Sequence, residues 1–387
     1  MNADQLLAHC ERLYADMGLG TVHTWKEAHP GRPAIGHLPV YAPREVVHAC
    51  GGLPVALAGA ADHVDIVKGD ACFQSYICHL PRSTVELGLT GDLDVLDGML
   101  FPATCDVIRN LSGIWKLQFP QKLVRFIDLP QNLTLSLGGA FFAHDMEELI
   151  TDLQTVGGIR PTTAALNASI KAFNENRKAL RDLYQLRCDA PWLMASDEVF
   201  LVTRAGYVID VNEHTQLVRD FIAAAGKRTH RPEDRIRVVI VGSFCEQPPI
   251  GLLRTIERSG CYVVDDDLNL GQRWIEGDVP ITDQPLTSLA NCYCNRSVWA
   301  STRYEGDRPR GPQLVEQVRN RRADGVVFAA PSFCDPALLD QPPLQKALAD
   351  AKVPHISFRY AENTGQFQGI REQAGTFSDS LKLWGTA

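Results

Sequence analysis

The chain has no apolar run near the roughly 20 residues that a bilayer-spanning helix needs. It has no basic block either, and its formal net charge of −8 denies it the electrostatic footprint of a nucleic-acid binder. The opening Met1-Asn-Ala-Asp-Gln-Leu-Leu-Ala-His-Cys10 reads as the start of a polar amphipathic helix, without the basic and apolar regions of a signal peptide. Neither a C-x2-C nor an H-x3-H pair occurs, so the usual zinc sites are not expected. A G-x-x-x-x-G-K-S/T phosphate loop is also missing, so no P-loop ATP site is expected in this chain. These absences predict a cytoplasmic protein without a membrane or nucleic-acid partner.

What is present is an ordinary globular composition: 387 residues, 45% apolar and 22% charged, enough for two or three domains. Eleven cysteines stand out, because a reducing compartment keeps such thiols from persisting as disulfides. Thiol clusters in such a chain point to metal or catalysis, whereas isolated free cysteines commonly serve as small buried hydrophobes. Cys10, Cys50, Cys188 and Cys261 lie on apolar helix faces or strands and are assigned to packing.

Two stretches repeat one another. Phe101-Pro-Ala-Thr-Cys-Asp106 and Ala330-Pro-Ser-Phe-Cys-Asp335 each follow an apolar run with Pro-x-x-Cys-Asp. Their cysteines are 229 residues apart, and so are Pro102 and Pro331. The β-Pro-α-Gly-β order of residues 34 to 57 recurs over residues 237 to 264, the pattern of a parallel sheet. Between the copies the pattern is helical, with Leu149, Ile150 and Leu153, then Leu166, Ile170, Phe173, Leu180 and Leu183 at 3- and 4-residue spacings. The basic, polar Gly226 to Asp234 reads as a linker. The expected fold is α/β, with two similar Rossmann- or flavodoxin-like parallel-sheet lobes and an intervening helical segment. Its expected boundaries are 1–143, a lobe with a leading helix (Ala3 to Met17) and a Gly-rich link to about residue 30; 144–234, helical, with one pattern from about Ser196 to Ala225; and 235–387, the second lobe.

Open α/β sheets bind ligands beyond the carboxyl ends of their strands. Cys105 and Cys334 are expected there, each before a helix whose N-terminal dipole and free N–H groups favour a thiolate. No cysteine–histidine arrangement recurs with the repeat. Widely separated cysteines meeting in one crevice fit an iron–sulfur cluster. The residues leave the third ligand open among Cys72, Cys78, Cys245, Cys292 and Cys294, with Cys78 read as lying deeper inside a helix. Glu45, early in a helix after a strand end, is a candidate for proton transfer, against a plain role as a helix-N-terminal charge. His37 and Tyr41 precede it and read as strand-end packing; His79 reads as a helix residue. Glu362-Asn-Thr-Gly365 follows the last strand, with turn chemistry as its plainer reading.

Pro39-Val-Tyr-Ala-Pro-Arg-Glu45, Ala49-Cys-Gly-Gly52, Asp70-Ala-Cys72, the first Pro-x-x-Cys-Asp, Phe333-Cys-Asp-Pro336 and Tyr360 to Phe377 together resemble the 2-hydroxyacyl-CoA dehydratase / benzoyl-CoA reductase iron–sulfur subunits. The closing stretch and the length are most similar to the smaller catalytic subunits of the ring-reducing branch. The resemblance implies that Cys72, Cys105 and Cys334 hold one [4Fe–4S] cluster, with an open iron able to polarise a thioester carbonyl. It implies an acyl-CoA substrate and reduction of the benzoyl-CoA ring to a cyclohexadiene-carbonyl-CoA, for which Glu45, by its place at the helix start, is the catalytic acid–base candidate. It further implies a homologous iron–sulfur subunit, ATP-binding activator-type subunits that use the ATP, and ferredoxin as donor. Radical water elimination from a 2-hydroxyacyl-CoA, or electron relay without catalysis, are the alternatives.

Overall fold

A computed structural model describes residues 2–60, 63–303, 305, 309–361 and 367–385. Its strands form two all-parallel sheets of four. One contains β1 (Ala34–His37), β2 (Leu53–Ala56), β3 (Gly98–Pro102) and β4 (Leu123–Ile127), ordered β2-β1-β3-β4. The other contains β5 (Ile236–Val241), β6 (Cys261–Asp266), β7 (Gly325–Pro331) and β8 (His355–Tyr360), ordered β6-β5-β7-β8. Strand for strand the order is the same, so the α/β fold does consist of two similar parallel-sheet lobes. β3 and β7 are buried at every position, as central parallel strands covered on both faces must be.

Helices α1 (Ala3–Ala15) and α2 (Gly20–Ala28) lead the chain, and α3 (Arg44–Ala49), α4 (His79–Thr90) and α5 (Asp106–Gln118) follow within the first lobe. The middle segment holds α6 (Ala140–Gln154), α7 (Thr163–Asp189), α8 (Ser196–Ala205) and α9 (Val211–Ala225). The second lobe adds α10 (Ile250–Arg258), α11 (Leu270–Arg273), α12 (Pro285–Arg296), α13 (Arg310–Asn320), α14 (Asp335–Asp350) and α15 (Gln368–Trp384).

Three expectations change. The Gly-rich link is in fact α2, because the Asp16 carboxylate accepts the N–H groups of Gly20 at 3.0 Å and Thr21 at 3.1 Å and so satisfies its first turn. The helical stretch from Ser196 to Ala225 is broken at Gly206, where the His214 ring packs so closely that a side chain would collide with it. Finally, α1 meets the lobe that follows it through Tyr14, edge-on to His63, but buries its apolar face elsewhere. Leu6, Cys10 and Leu13 share a core with Leu183, Phe200, Val218 and Ile240 of the middle segment and second lobe.

The lobes are joined in two ways. An apolar core runs from the first lobe into Phe244, Trp274 and Tyr293 of the second, with Tyr41 edge-on to both the Trp274 and Tyr293 rings. Helix α7 then spans them with two buried arginines about 15 Å apart along its axis. Arg177 donates to Glu45 at 2.5 Å, and Arg187 donates to Asp266 at 2.6 Å.

Candidate functional site

Cys105 and Cys334 leave the carboxyl ends of β3 and β7 and stand immediately before the first turns of α5 and α14. The backbone N–H groups of Val107 and Ile108 point to the Cys105 thiol, and that of Ala337 to Cys334. Both cysteines therefore hold the strand-end positions expected of them. In the second lobe Phe333, just before the cysteine, adopts the left-handed region at φ 67°, which costs energy for a residue with a side chain.

The third cysteine is where expectation and structure part. Cys72 ends a single 3-10 turn, Asp70–Cys72, with its sulfur 3.8 Å from the Lys68 carbonyl oxygen, and it does not line the cavity that Cys105 and Cys334 share. Cys78 does line it. The helix expected to swallow Cys78 starts one residue later, at His79, so Cys78 takes the same pre-helical place as Cys105 and Cys334. Pro81 carried the signal: proline has no N–H to give, so it belongs in a helix's first turn. That placement makes the residue three before it the one outside.

A fourth thiol, Cys245, comes from the loop after β5. Cys78 and Cys105 of the first lobe and Cys245 and Cys334 of the second thus face one cavity of about 600 Å³. Thr104, Phe244, Glu246, Ser301 and Thr302 complete its inner wall, and exposed Phe333 and Leu339 stand at its rim. Burial dominates the thiols' acidity. It raises the Cys334 pKa to about 12 and those of Cys78, Cys105 and Cys245 above the ordinary 9.0; neighbouring thiols add to the rise at Cys78, Cys245 and Cys334, and Asp106 and Asp335 add to it at Cys105. The helix N–H groups pull the other way at Cys105 and Cys334 but do not win, so the expected lowering is not found. Such thiols stay neutral until a metal's positive charge displaces their protons.

Among the described residues no three His, Cys, Asp or Glu side chains close around a single ion. An iron–sulfur cubane makes a different demand, since each ligand binds its own iron and the ligands surround a volume. Four thiols lining one cavity fit that demand. The buried Thr302 hydroxyl, which has no hydrogen-bond partner among the described residues, adds a polar group to the same wall.

The remaining candidates lie elsewhere. Glu45 is 1% exposed, bound to Arg177, and is not part of the cavity lining; nothing places it against the thiols. His37 sits with Nδ1 2.9 Å from the Leu38 carbonyl oxygen, and burial lowers its pKa to about 3. The Tyr41 hydroxyl donates to the Val298 carbonyl at 3.0 Å. Cys292 and Cys294 are buried in α12, the former 2.9 Å from an Arg296 nitrogen. Cys10, Cys50, Cys188 and Cys261 are buried, as packing residues should be. Glu362 to Gly365 lie outside the described residues. Sequence reasoning gave no role to Glu246 or Thr302, and neither carries a motif; only the folded crevice reveals them.

A second cavity, about 930 Å³, opens at the ends of β5 and β6. Its Arg273 and Arg321 are matched by Asp265 and Asp266. Arg310 lines it too and pairs with Asp340, which belongs to the cysteine cavity. Among the described residues no helix is long and apolar enough to cross a membrane.

Comparison with known proteins agrees along the whole chain. It is 49% identical to a benzoyl-CoA reductase subunit of Thauera aromatica, over 99% of this chain and 100% of that one. It is 28% identical to the (R)-phenyllactyl-CoA dehydratase beta subunit of Clostridium sporogenes, covering 91% and 92%. It is 29% identical to the lactoyl-CoA dehydratase beta subunit of Anaerotignum propionicum, covering 92% and 93%. Residues 39–381, which take in β2 to β8 and all four cavity thiols, match the model of the 2-hydroxyglutaryl-CoA dehydratase D-component, and the chain belongs to that family.

Proposed function

We propose that this chain is an iron–sulfur subunit of a benzoyl-CoA reductase, in which Cys78, Cys105 and Cys334 hold a [4Fe–4S] cluster. The observation that carries the reading is the 49% identity over the full length of both chains, well above the 28% and 29% to the dehydratase subunits. The reaction adds an electron pair and a proton pair to the ring of benzoyl-CoA and yields a cyclohexadiene-carbonyl-CoA. Breaking aromaticity requires a strongly reducing donor, and a bound iron–sulfur cluster supplies electrons at potentials reaching about −700 mV.

The chain's own residues suit that task. The pre-helical positions of Cys78, Cys105 and Cys334 bring three helix N-termini to the cavity, and at Cys105 and Cys334 backbone N–H groups already point to the sulfur they would stabilise as thiolate. The carboxylate of Glu246, 3% exposed in the same wall, opposes the arrival of further negative charge and so favours a low potential. The Thr302 hydroxyl, unpartnered among the described residues, is in the wall that sulfur would face. ATP is used by activator-type partner subunits in this reading, with ferredoxin as the donor, a homologous iron–sulfur subunit alongside, and the cytoplasm as the compartment.

The test is anaerobic turnover of the assembled complex with ATP, reduced ferredoxin and benzoyl-CoA. A cyclohexadiene-carbonyl-CoA product is expected. An enoyl-CoA formed from a 2-hydroxyacyl-CoA, with benzoyl-CoA untouched, would overturn the assignment in favour of a dehydratase.

A further inference from the structure

We infer that Cys245 is a fourth thiolate ligand, which closes the cluster site of this chain and makes it an electron-transfer centre with no iron open to substrate. The inference rests on the reading that Cys78, Cys105 and Cys334 hold a cluster. It places the acyl thioester on the paired subunit.

Four observations carry it. First, Cys245 lines the same cavity as the other three thiols, and its electrostatic neighbours there are Cys334 and Cys105. Second, it is 7% exposed, the same as Cys334, so it faces the cavity interior and not solvent.

Third, the loop that carries it is fixed from both sides. β5 is followed by Gly242 at φ 116°, where an added side chain would press on the Ala329 carbonyl, so the chain can turn there only as glycine. The Gly242 and Ser243 N–H groups donate to the Asp267 carboxylate at 2.7 and 2.9 Å, and the Ser243 hydroxyl donates to the Ala329 carbonyl at 2.7 Å. On the far side of Cys245 the Tyr360 hydroxyl donates to the Glu246 carbonyl at 2.8 Å.

Fourth, the loop is tied directly to another ligand's helix. The Leu80 N–H, in the first turn after Cys78, donates to the Glu246 carboxylate at 2.9 Å. This bond crosses between the lobes and couples the residue next to Cys245 to the turn next to Cys78. A thiol held this firmly, beside three others, is built as part of the set.

The chemical consequence follows from ligand count. Three cysteines leave one corner of a cubane for water or a substrate carbonyl; a fourth thiolate fills it. A cluster held by Cys78, Cys105, Cys245 and Cys334 would supply one-electron transfer and would offer no iron for a bond to substrate.

The test uses the full chain, reconstituted anaerobically with iron and sulfide. On mild ferricyanide oxidation the unaltered chain is expected to keep its iron and show no three-iron paramagnetic signal, and added 2-mercaptoethanol should leave the reduced spectrum unchanged. Cys245→Ala should lose about a quarter of its iron on oxidation, in proportion to one corner of four, and gain a three-iron signal. If the unaltered chain already gives that signal, or if Cys245→Ala matches it in every respect, the fourth-ligand inference falls. Cys105→Ser is the companion arm. Should it retain a full cluster, the underlying ligand reading fails instead, so the two failures are distinct. The measurements on the unaltered chain decide the matter even if Cys245→Ala does not fold.

Discussion

The two lobes share a strand order and a Pro-x-x-Cys-Asp loop, yet each reaches its second cavity cysteine by a different route. Lobe one takes Cys78 from the start of α4, after a long connection from β2; lobe two takes Cys245 from the loop directly after β5. The matched pair, Cys105 and Cys334, comes from equivalent third-place strands and inherits its geometry from the repeated fold. The unmatched pair has no such inheritance and is held by local devices, among them the bond from the Leu80 N–H to Glu246. Repetition therefore sets up two opposed walls of the crevice, and asymmetry completes its donor set.

The largest expected effect tests the matched pair. Cys105→Ser and Cys334→Ser should each abolish cluster binding in the anaerobically reconstituted chain, read as near-complete loss of iron and sulfide. Cys72→Ser should leave both at the level of the unaltered chain. Loss of the cluster from Cys72→Ser, with retention in Cys78→Ser, would reverse the assignment of the third ligand and break the comparison at its asymmetric side.

The next effect compares the two buried ion pairs by which α7 holds the lobes. Removing one partner of such a pair strands a buried charge and costs about 3–5 kcal/mol. Glu45→Gln should lower stability by that order, because Arg177 loses its buried carboxylate partner. Asp266→Asn should cost at least as much, since that carboxylate also accepts the Tyr184 hydroxyl at 3.1 Å and the Leu268 N–H at 2.9 Å. Urea midpoints of the cluster-free chain measure both. If Glu45→Gln unfolds at the normal midpoint while the assembled complex loses turnover, Glu45 is a proton-transfer group and its pairing with Arg177 is incidental to stability.

Much of the fold was legible because parallel strands are written in continuous apolar runs. Gly325 to Pro331 is such a run, and its repeat at Gly98 to Pro102 announced the duplication and the place of both matched cysteines. Cys78 was legible in principle through Pro81, but the helical pattern around it suggested burial within a helix. The packing of α1 was not legible: its apolar face of Leu6, Cys10 and Leu13 states that it is covered but not by what. Glu45 shows the same limit. A carboxylate early in a helix after a strand end looks available for chemistry, and only the arrival of Arg177, 132 residues later in the chain, decides its surroundings. The site's remaining groups, Glu246 and Thr302, come together through tertiary contact alone.

The smallest effect is a pH test that should drive the lobes in opposite directions. His37, at the end of β1, is held neutral by burial, with its pKa lowered from 6.5 to about 3. Its unfolded form takes up a proton first, so the stability it contributes is present above pH 6.5 and is lost progressively as pH falls towards 3. Between pH 7 and 5 that loss is about 2 kcal/mol. Asp267, which accepts two N–H groups after β5, has its pKa raised by burial from 3.8 to about 6. Here the folded form takes up the proton first, so stability is fully present below 3.8 and is lost as pH rises through 6. The same step from pH 7 to 5 returns about 1 kcal/mol to lobe two. Hydrogen exchange, corrected for the intrinsic pH dependence of amide rates, should show protection falling over Ile35 to His37 and rising over Val238 to Val241. His37→Gln should remove the fall without touching the rise. Equal shifts in both sheets would mean that the lobes open as one cooperative unit, with the shared core of Tyr41, Trp274 and Tyr293 outweighing the local difference between them.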